Sequence, residues 1–338
     1  MNCRNYKLLF WLALLVGGVA CVSHFRAINF IHEILTNFLH YFLPVNVIFF
    51  LWLLLCYRYN QNRFNLHLQR AAILLNFFGA VFTIKALLPF YFLKLDISKN
   101  LSLVNKKNIS VLYANIYGGN LELDALAQVI SFQRADLIGL LELSPEVEEK
   151  LAPALSGYSH KILLPRLDHY GLGIYSSFPI INEPSSIAAI DSFGENLQPA
   201  LMVVLDAPQG KFNFTLLHLS PPKDNHSLIR NTKLIRRIAS EIRKRRSDMP
   251  QIVAGDFNAM PFSSFYKRFQ EWTGLHNASL GYGLYKTWPA DWLLPAINLT
   301  LDHIFISDDL TIADLQKISL PGSDHYGFLA KITMNQLF

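Results

Sequence analysis

The chain has 338 residues, enough for about two domains, and 51% of them are hydrophobic. Its formal net charge is +5, but the first hundred residues hold 9 Lys/Arg against 2 Asp/Glu, and the rest hold 21 against 23. The basic balance therefore belongs to the front and does not mark the remainder as a binder of extended nucleic acid, which relies on neutralising phosphates. All three cysteines (Cys3, Cys21, Cys56) also lie in front, which excludes disulfides and thiolate metal sites from the later part.

The front contains three apolar stretches, about Leu8–Val22, Pro44–Tyr57 and Ala71–Leu93. The third is long enough to cross a bilayer, and the first two reach that length with their flanks. A buried helix of a soluble protein or a signal peptide also reads this way. Three such stretches with so few charges favour a membrane anchor over residues 1–95. Arg4 and Lys7 before the first stretch, and Arg58, Arg63 and Arg70 between the second and third, place those ends in the cytoplasm. An odd number of spans then puts the rest outside, although Lys94, Lys99, Lys106 and Lys107 oppose this. Lys85, inside the third stretch, snorkels to an interface or pairs within the bundle.

Residues 96–108 are polar and read as a linker. Beyond them strand and helix patterns alternate. Strands are predicted at Ile109–Asn115, Asp136–Leu141, His160–Leu164, Leu172–Tyr175, Ala200–Leu205, Phe212–Leu219, Gln251–Ala254, Asp302–Ile306 and Phe328–Ile332. Helices are predicted at Leu121–Arg134, with Asn120 as N-cap, at Pro145–Leu155 and at about Leu228–Arg246. In the last, Leu234, Ile235, Ile238 and Ile242 form a core stripe, and the arginines and lysines a solvated face. Residues 109–338 thus form one α/β domain with a layered sheet core, expected to be soluble on its own from about Asn105.

Polar residues recur where these strands end. Asn115 closes the first, Glu142 follows Leu137–Leu141, and His218 ends Phe214–Leu217. Asp256 and Asn258 follow Ile252–Gly255, Asp302-His303 opens Ile304–Ile306, and Asp324-His325 follows Pro321–Ser323. Ligands of open α/β folds gather at such ends. Hard oxygen donors such as Glu142 and Asn115 suit Mg²⁺ or Mn²⁺ rather than zinc, and a His–Asp pair can activate water. Hydrolysis of a phosphate ester is the chemistry this set suggests. The chain has no G-x-S-x-G elbow, no G-x-x-x-x-G-K-[ST] loop and no H-E-x-x-H helix, which argues against serine hydrolases, P-loop enzymes and zinc proteases.

In this order the residues Asn115, Glu142, His218, Gly255–Asn258, Leu301–Phe305 and Gly322–His325 resemble the endonuclease/exonuclease/phosphatase superfamily, in particular its membrane-anchored bacterial members. Pro221-Pro222, Arg230-Asn231 and Thr287-Trp288-Pro289 add to the likeness. The resemblance covers about Ile109 to Ile332 and implies a four-layered α/β sandwich like deoxyribonuclease, preceded by three transmembrane helices. It implies that Glu142 is the principal Mg²⁺ ligand with Asn115 beside it. His325 is the general base, oriented by Asp302, with Asp256 its rival. Asp256 and Asn258 position water and phosphate, Asp256 and Asp324 can share a second metal, and His218 donates to the phosphate. Leu141 stands where many members carry Gln, and His169 and Tyr170 are equally placed for a phosphate-side role.

The sequence thus reads as an Mg²⁺- or Mn²⁺-dependent phosphoesterase, integral to the inner or plasma membrane, with its catalytic domain on the extracytoplasmic side. Its expected substrate is a phosphate ester, a lipid headgroup or a nucleic acid. The alternative is an inactive membrane-anchored binding or scaffold domain. Trp288, Trp292, Leu293 and Leu294 are expected either to pack a core edge or to enter lipid.

Overall fold

The computed structural model describes the chain apart from residues 1–2, 26–28, 59–65, 94–107, 182–184, 191–195, 246–247, 291–297 and 336–338. The linker reading and Trp292–Leu294 fall almost wholly outside the described residues.

Alternation along the strands builds the layers. Strand β1 (Ile109–Asn115) turns Ile109, Val111 and Tyr113 to one apolar layer and Leu112 and Ala114 to another, all buried. A strand covered on both faces belongs inside a sheet that has further layers on each side. After β1 come β2 (Leu137–Leu141), β3 (His160–Leu164), β4 (Leu172–Ser176), β5 (Ser185–Ile190) and β6 (Asn196–Ala207). Then follow β7 (Gly210–His218), β8 (Gln251–Asp256), β9 (His276–Asn277), β10 (Asp302–Ile306), β11 (Leu310–Ser319) and β12 (Tyr326–Met334). They form two six-stranded sheets, ordered β11-β12-β1-β2-β4-β3 and β5-β6-β7-β8-β10-β9. The layer between the sheets joins Ile109, Val111, Tyr113 and Ile174 to Phe214, Leu216, Ala254 and Ile304.

Each sheet holds one parallel pair, β1 with β2 and β7 with β8. A parallel pair needs a crossover, and a helix supplies each one. Among the helices of the chain, α1 (Cys3–Val22), α2 (Phe30–Asn37), α3 (Leu39–Arg58) and α4 (Leu66–Phe92) come first. Crossover helix α5 (Leu123–Phe132) joins β1 to β2, and α6 (Pro145–Leu151) follows; α7 (Asn225–Arg245) joins β7 to β8, and α8 (Ser264–Thr273) follows. Helices α5 and α6 cover one sheet, and α7 and α8 the other. Sheets and helices together give the mixed α/β fold with two packed sheets that the resemblance implies.

Several elements differ from the sequence reading for local reasons. Asn120 does not cap α5: its Oδ1 accepts from the Glu122 N–H at 2.7 Å and its Nδ2 donates to the Pro321 carbonyl at 2.8 Å, so the helix starts at Leu123. Helix α8 was hidden by its aromatic composition, but Ser263 caps its start and left-handed Gly274 (φ 66°) ends it. Edge strand β11 was hidden by polar residues and by a register shift between Ile312 and Asp314.

The front buries polar side chains beside an apolar cluster of Tyr6, Phe10, Ala13, Leu53 and Ala72, and leaves many apolar ones exposed. Asn46, Asn76 and Thr83 are fully buried, whereas Leu8, Trp11, Leu15, Leu51, Leu55, Leu74 and Phe77 are exposed. Asn76 Nδ2 donates to the carbonyls of Ala13 and Ala72, and Gln69 Nε2 to Tyr6 Oη. Two helices, α3 and α4, are long and apolar enough to cross a membrane, and the part of α1 from Tyr6 to Val22 is a shorter apolar stretch. The contacts Tyr6–Gln69, Ala13–Asn76 and His24–Thr83 show α1 running parallel to α4. Helix α2 was not anticipated: it is short and polar enough to escape a search for spans.

The helices do not stand apart from the sheets. Leu39 packs with Met260, Phe262, Leu299 and Leu301, and Phe90 with the layer under α7 and α8. Gly281 N–H donates to the Pro89 carbonyl at 3.1 Å and Gly283 N–H to that of Phe90. The expectation of a domain soluble from Asn105 does not fit this interface, because removing the helices would bare a buried apolar surface.

Gly255 allows the closest approach in the second sheet. A Cβ there would lie 2.3 Å from the Leu217 carbonyl oxygen, with no flexible atom to yield. Gly255→Ala should cost about 3 kcal/mol by overpacking, read as a lower melting temperature of the purified full chain.

Candidate active site

The interlayer that is apolar at mid-strand turns polar one rung later. Leu216, Ala254 and Ile304 share a rung across β7, β8 and β10; two residues on, His218, Asp256 and Asp302 share the next. Period two keeps them on the same face, so all three point between the sheets. In the opposite sheet Asn115 follows Tyr113 in the same way and pairs with Leu141. The carboxyl ends of both parallel pairs therefore meet at one end of the sandwich.

Glu142 reaches this place by a different device. Leu137 and Leu141 face the interlayer, so strict alternation would send residue 142 to the other side. Its φ of 62° puts it in the left-handed region, at a cost of about 1–2 kcal/mol for a residue with a Cβ. The Gly118 N–H holds the redirected carboxylate, donating to Oε2 at 2.9 Å, and His169 Nδ1 lies 3.0 Å from the same oxygen. Asn115 Oδ1 accepts from the Tyr117 N–H at 3.2 Å, leaving Nδ2 between the carboxylates, 3.3 Å from Glu142 Oε1 and 3.4 Å from Asp256 Oδ2. In this arrangement Asn115 bridges the carboxylates through its nitrogen.

His325 lies against Asp302, Nδ1 to Oδ2 at 2.8 Å, and Tyr113 Oη donates to the other Asp302 oxygen at 2.5 Å. The second nitrogen of His325 faces Asp256 Oδ2 at 3.8 Å, and His218 Nε2 faces the same oxygen at 3.6 Å. His218 Nδ1 donates to the His169 carbonyl at 3.1 Å, and Tyr170 packs its ring on the imidazole. Asn258, with φ 47°, donates its backbone N–H to Asp256 Oδ1 at 2.7 Å and its Nδ2 to the Leu219 carbonyl at 2.8 Å.

Burial and like charge set the protonation states. Burial and the neighbouring Asp302 push Asp256 well above the carboxylate range. Burial also opposes ionisation of Asp302, but His325, Thr287 and Tyr113 outweigh it and hold the group below its usual value. Burial disfavours charge on His325, yet Asp302 and Asp256 raise it to about 10. Burial holds His218 below its usual value, and so neutral. Glu142 is lowered: burial opposes its ionisation, but hydrogen bonds from the Gly118 N–H, His169 and Asn115 outweigh it.

Seven of the eight predicted residues converge: Asn115, Glu142, His218, Asp256, Asn258, Asp302 and His325. Asp324 is exposed at the rim instead, accepting from Trp288 Nε1 at 2.9 Å. It lines a cavity of about 540 Å³ with Tyr117, Glu122, Trp288, Pro289, Gly322 and Ser323. Tyr113 and Gly118 were missed. Tyr113 carried a signal, standing one strand period before Asn115; a backbone N–H such as that of Gly118 leaves none.

Asp256, Asp302 and His325 bring ligand atoms within 4.8 Å of one another, a buried group able to hold a metal ion. Both Asp302 oxygens are already engaged, however, by Tyr113 and His325. Glu142 Oε1 and Asp256 Oδ2 share the long contacts from Asn115, and Asp256 Oδ2 also faces the imidazoles of His218 at 3.6 Å and His325 at 3.8 Å. Hard oxygens of this kind, one with its charge suppressed by a like neighbour, fit a hard divalent cation.

The model of the endonuclease/exonuclease/phosphatase family matches residues 112–325, from within β1 to His325. The chain belongs to that family. Its fold is similar to that of a family member from Beutenbergia cavernae, at 19% identity, TM-score 0.55, over 68% of this chain and 72% of that one. It is likewise similar to D. rerio TDP2 complexed with a single-strand DNA product, at 20% identity, TM-score 0.57, over 67% and 99%. Bacteroides thetaiotaomicron mannosyl-6-phosphatase matches at 18% identity, TM-score 0.54, over 67% and 100%. No curated protein matches the sequence. The family match ends on the site's own His325 and leaves the four front helices uncovered.

His303, beside Asp302 in sequence, faces the opposite layer and holds the loop from behind. Its Nε2 donates to the Ala259 carbonyl at 2.8 Å and its Nδ1 lies 3.2 Å from Asn277 Nδ2. Burial lowers it from 6.5 to about 4. The unfolded imidazole binds its proton near 6.5 and the folded one near 4, so stability is full above that window and falls as pH drops through it. The loss should approach about 3 kcal/mol by pH 4, a component of the melting-temperature profile that is absent in His303→Phe.

Proposed function

We propose that this chain is a divalent-cation-dependent phosphoesterase anchored in the membrane, cleaving a phosphate ester at the membrane surface. The observation that carries it is the convergence of Asn115, Glu142, His218, Asp256, Asn258, Asp302 and His325 at the open end of one interlayer. Glu142 and Asp256 would hold Mg²⁺ or Mn²⁺, with Asn115 between them. A cation bound there draws charge from a phosphoryl oxygen, which is worth several kcal/mol in a dry site.

The remaining steps belong to the side chains. Asp302 orients His325 and fixes a proton on Nδ1, so Nε2 is the atom that exchanges a proton with water. Asp302 foremost, and Asp256 beside it, raise the affinity of His325 for its second proton, and positive charge placed next to Asp256 would lower it. His218, neutral in its buried position, donates from Nε2 only after an anionic phosphate offsets its desolvation. The carboxamide of Asn258, fixed by Leu219, positions the phosphate.

Membrane placement rests on the apolar side chains exposed around the front helices. Asn76 and Thr83 donate to carbonyls within the bundle, and apolar residues outside are what a lipid surround favours. Lys7, Arg58 and Arg70 lie at the end of the bundle away from the sheets, which favours an extracytoplasmic domain. Trp288 belongs both to the apolar cluster of Tyr41 and Phe42 and to the cavity beside Asp324, so the cleft opens near the bundle. This supports a lipid headgroup as substrate over an extended nucleic acid.

The purified full chain should hydrolyse bis-p-nitrophenyl phosphate, or one of a panel of phospholipids and DNA, only with Mg²⁺ or Mn²⁺, and chelation should abolish turnover. Glu142→Ala should reduce kcat/KM by about 10³-fold and His325→Ala by roughly 10² to 10⁴-fold. A folded protein inert on every substrate with metal present would instead support the scaffold reading. For orientation, Ser156→Cys, exposed beyond α6, should react with an impermeant maleimide on intact cells. Reaction only after permeabilisation would place the domain inside.

A further inference from the structure

We infer that Asn37 and Glu33, on the short helix α2 between two apolar helices, are positioning residues for the active site, so that the anchor forms part of its scaffold. The inference rests on the phosphoesterase reading for its meaning but on separate contacts for its geometry. Glu33 is fully buried, and its two carboxylate oxygens accept from the N–H groups of Ser264 and Phe265, each at 3.2 Å. These are the first residues of α8, where N–H groups have no acceptor within the helix and the helix dipole favours a negative charge. A carboxylate more than two hundred residues away in sequence thus caps the helix that follows the Asp256 loop.

Asn37 acts on the loop itself. Its Oδ1 accepts from the Met260 N–H at 2.9 Å, and Met260 is fully buried. Backbone bonds such as Phe257 N–H to the Leu301 carbonyl hold the chain from Asp256 to Met260, and among the contacts that involve side chains are four more. Asn258 N–H donates to Asp256, Asn258 Nδ2 to Leu219, His303 to the Ala259 carbonyl, and Met260 N–H to Asn37. The first three lie within the sheet domain, and the fourth comes from the front helices. Leu39, two residues beyond Asn37, packs on Met260, Phe262, Leu299 and Leu301, the last adjoining Asp302. The α2–α3 junction therefore bears on both chain segments that carry Asp256 and Asp302.

Losing the Asn37 acceptor leaves a buried N–H two residues from Asn258 without its partner, and the loop must shift or open to satisfy it. Small displacements of positioning groups cost rate rather than fold. Glu33→Ala risks misfolding, so Asn37→Ala is the informative variant, with Asn37→Asp keeping the acceptor oxygen. In the full chain, reconstituted and assayed with Mn²⁺ on bis-p-nitrophenyl phosphate, Asn37→Ala should lower kcat about 10-fold. KM should change less than about twofold, and Asn37→Asp should recover most of kcat.

A second readout does not need turnover. Hydrogen exchange across 257–262 should quicken in Asn37→Ala and return toward wild type in Asn37→Asp. A lower melting temperature with unchanged kcat and unchanged exchange in that segment would overturn the inference. A wild-type chain that turns over nothing would defeat the phosphoesterase reading alone, because exchange would still decide whether α2 positions the loop.

Discussion

Asp256 and Asp302 stand opposite each other on paired strands, both buried and both facing the interlayer. Two like charges in such a place are destabilising, and the surrounding architecture answers them. Tyr113 and His325 hold Asp302 in its charged form, while Asp256 gives up affinity for charge and takes its backbone donor from Asn258. His325 lies between the two acids, and charged Asp302, 2.8 Å from its Nδ1, does most to hold its proton. A site with this imbalance is poised to accept positive charge. That is the property expected where a cation and an anionic phosphate are brought together.

The twofold likeness of the sheets explains how one cleft collects donors from both. Each sheet carries a parallel pair with a helix crossover, and the carboxyl ends of the two pairs face each other. One pair brings Asn115 and, past its end, Glu142; the other brings His218 and Asp256. Strands that run back beside them, β10 and β12, begin at this same end, which is why Asp302 and His325 enter from their starts. The cleft thus draws on six strands without any one loop carrying the chemistry.

Much of this was legible in the sequence. A strand ending in a polar residue, read together with period two, says which face that residue takes, so Asn115, His218, Asp256 and Asp302 were placeable. Glu142 was legible only by its position after an apolar run; the left-handed turn that aims it depends on Gly118 and His169, which no pattern links to it. Asp324 shows the reverse case. It lies next to His325 and looks like a second ligand, but the Trp288 indole draws it to the rim.

The sequence by itself determined the apolar front, the α/β alternation and most of the polar residues that converge on the cleft, because hydrophobic periodicity and strand ends are local properties. Tertiary structure alone decided which carboxylate keeps its charge, which atom of Asn115 faces the acids, and that Glu33 and Asn37 meet the chain just after Asp256. Those are matters of distance and burial between groups far apart along the chain. Local spacing cannot encode them, and only the packing of α2 against α8 and of one sheet on the other brings the groups within reach.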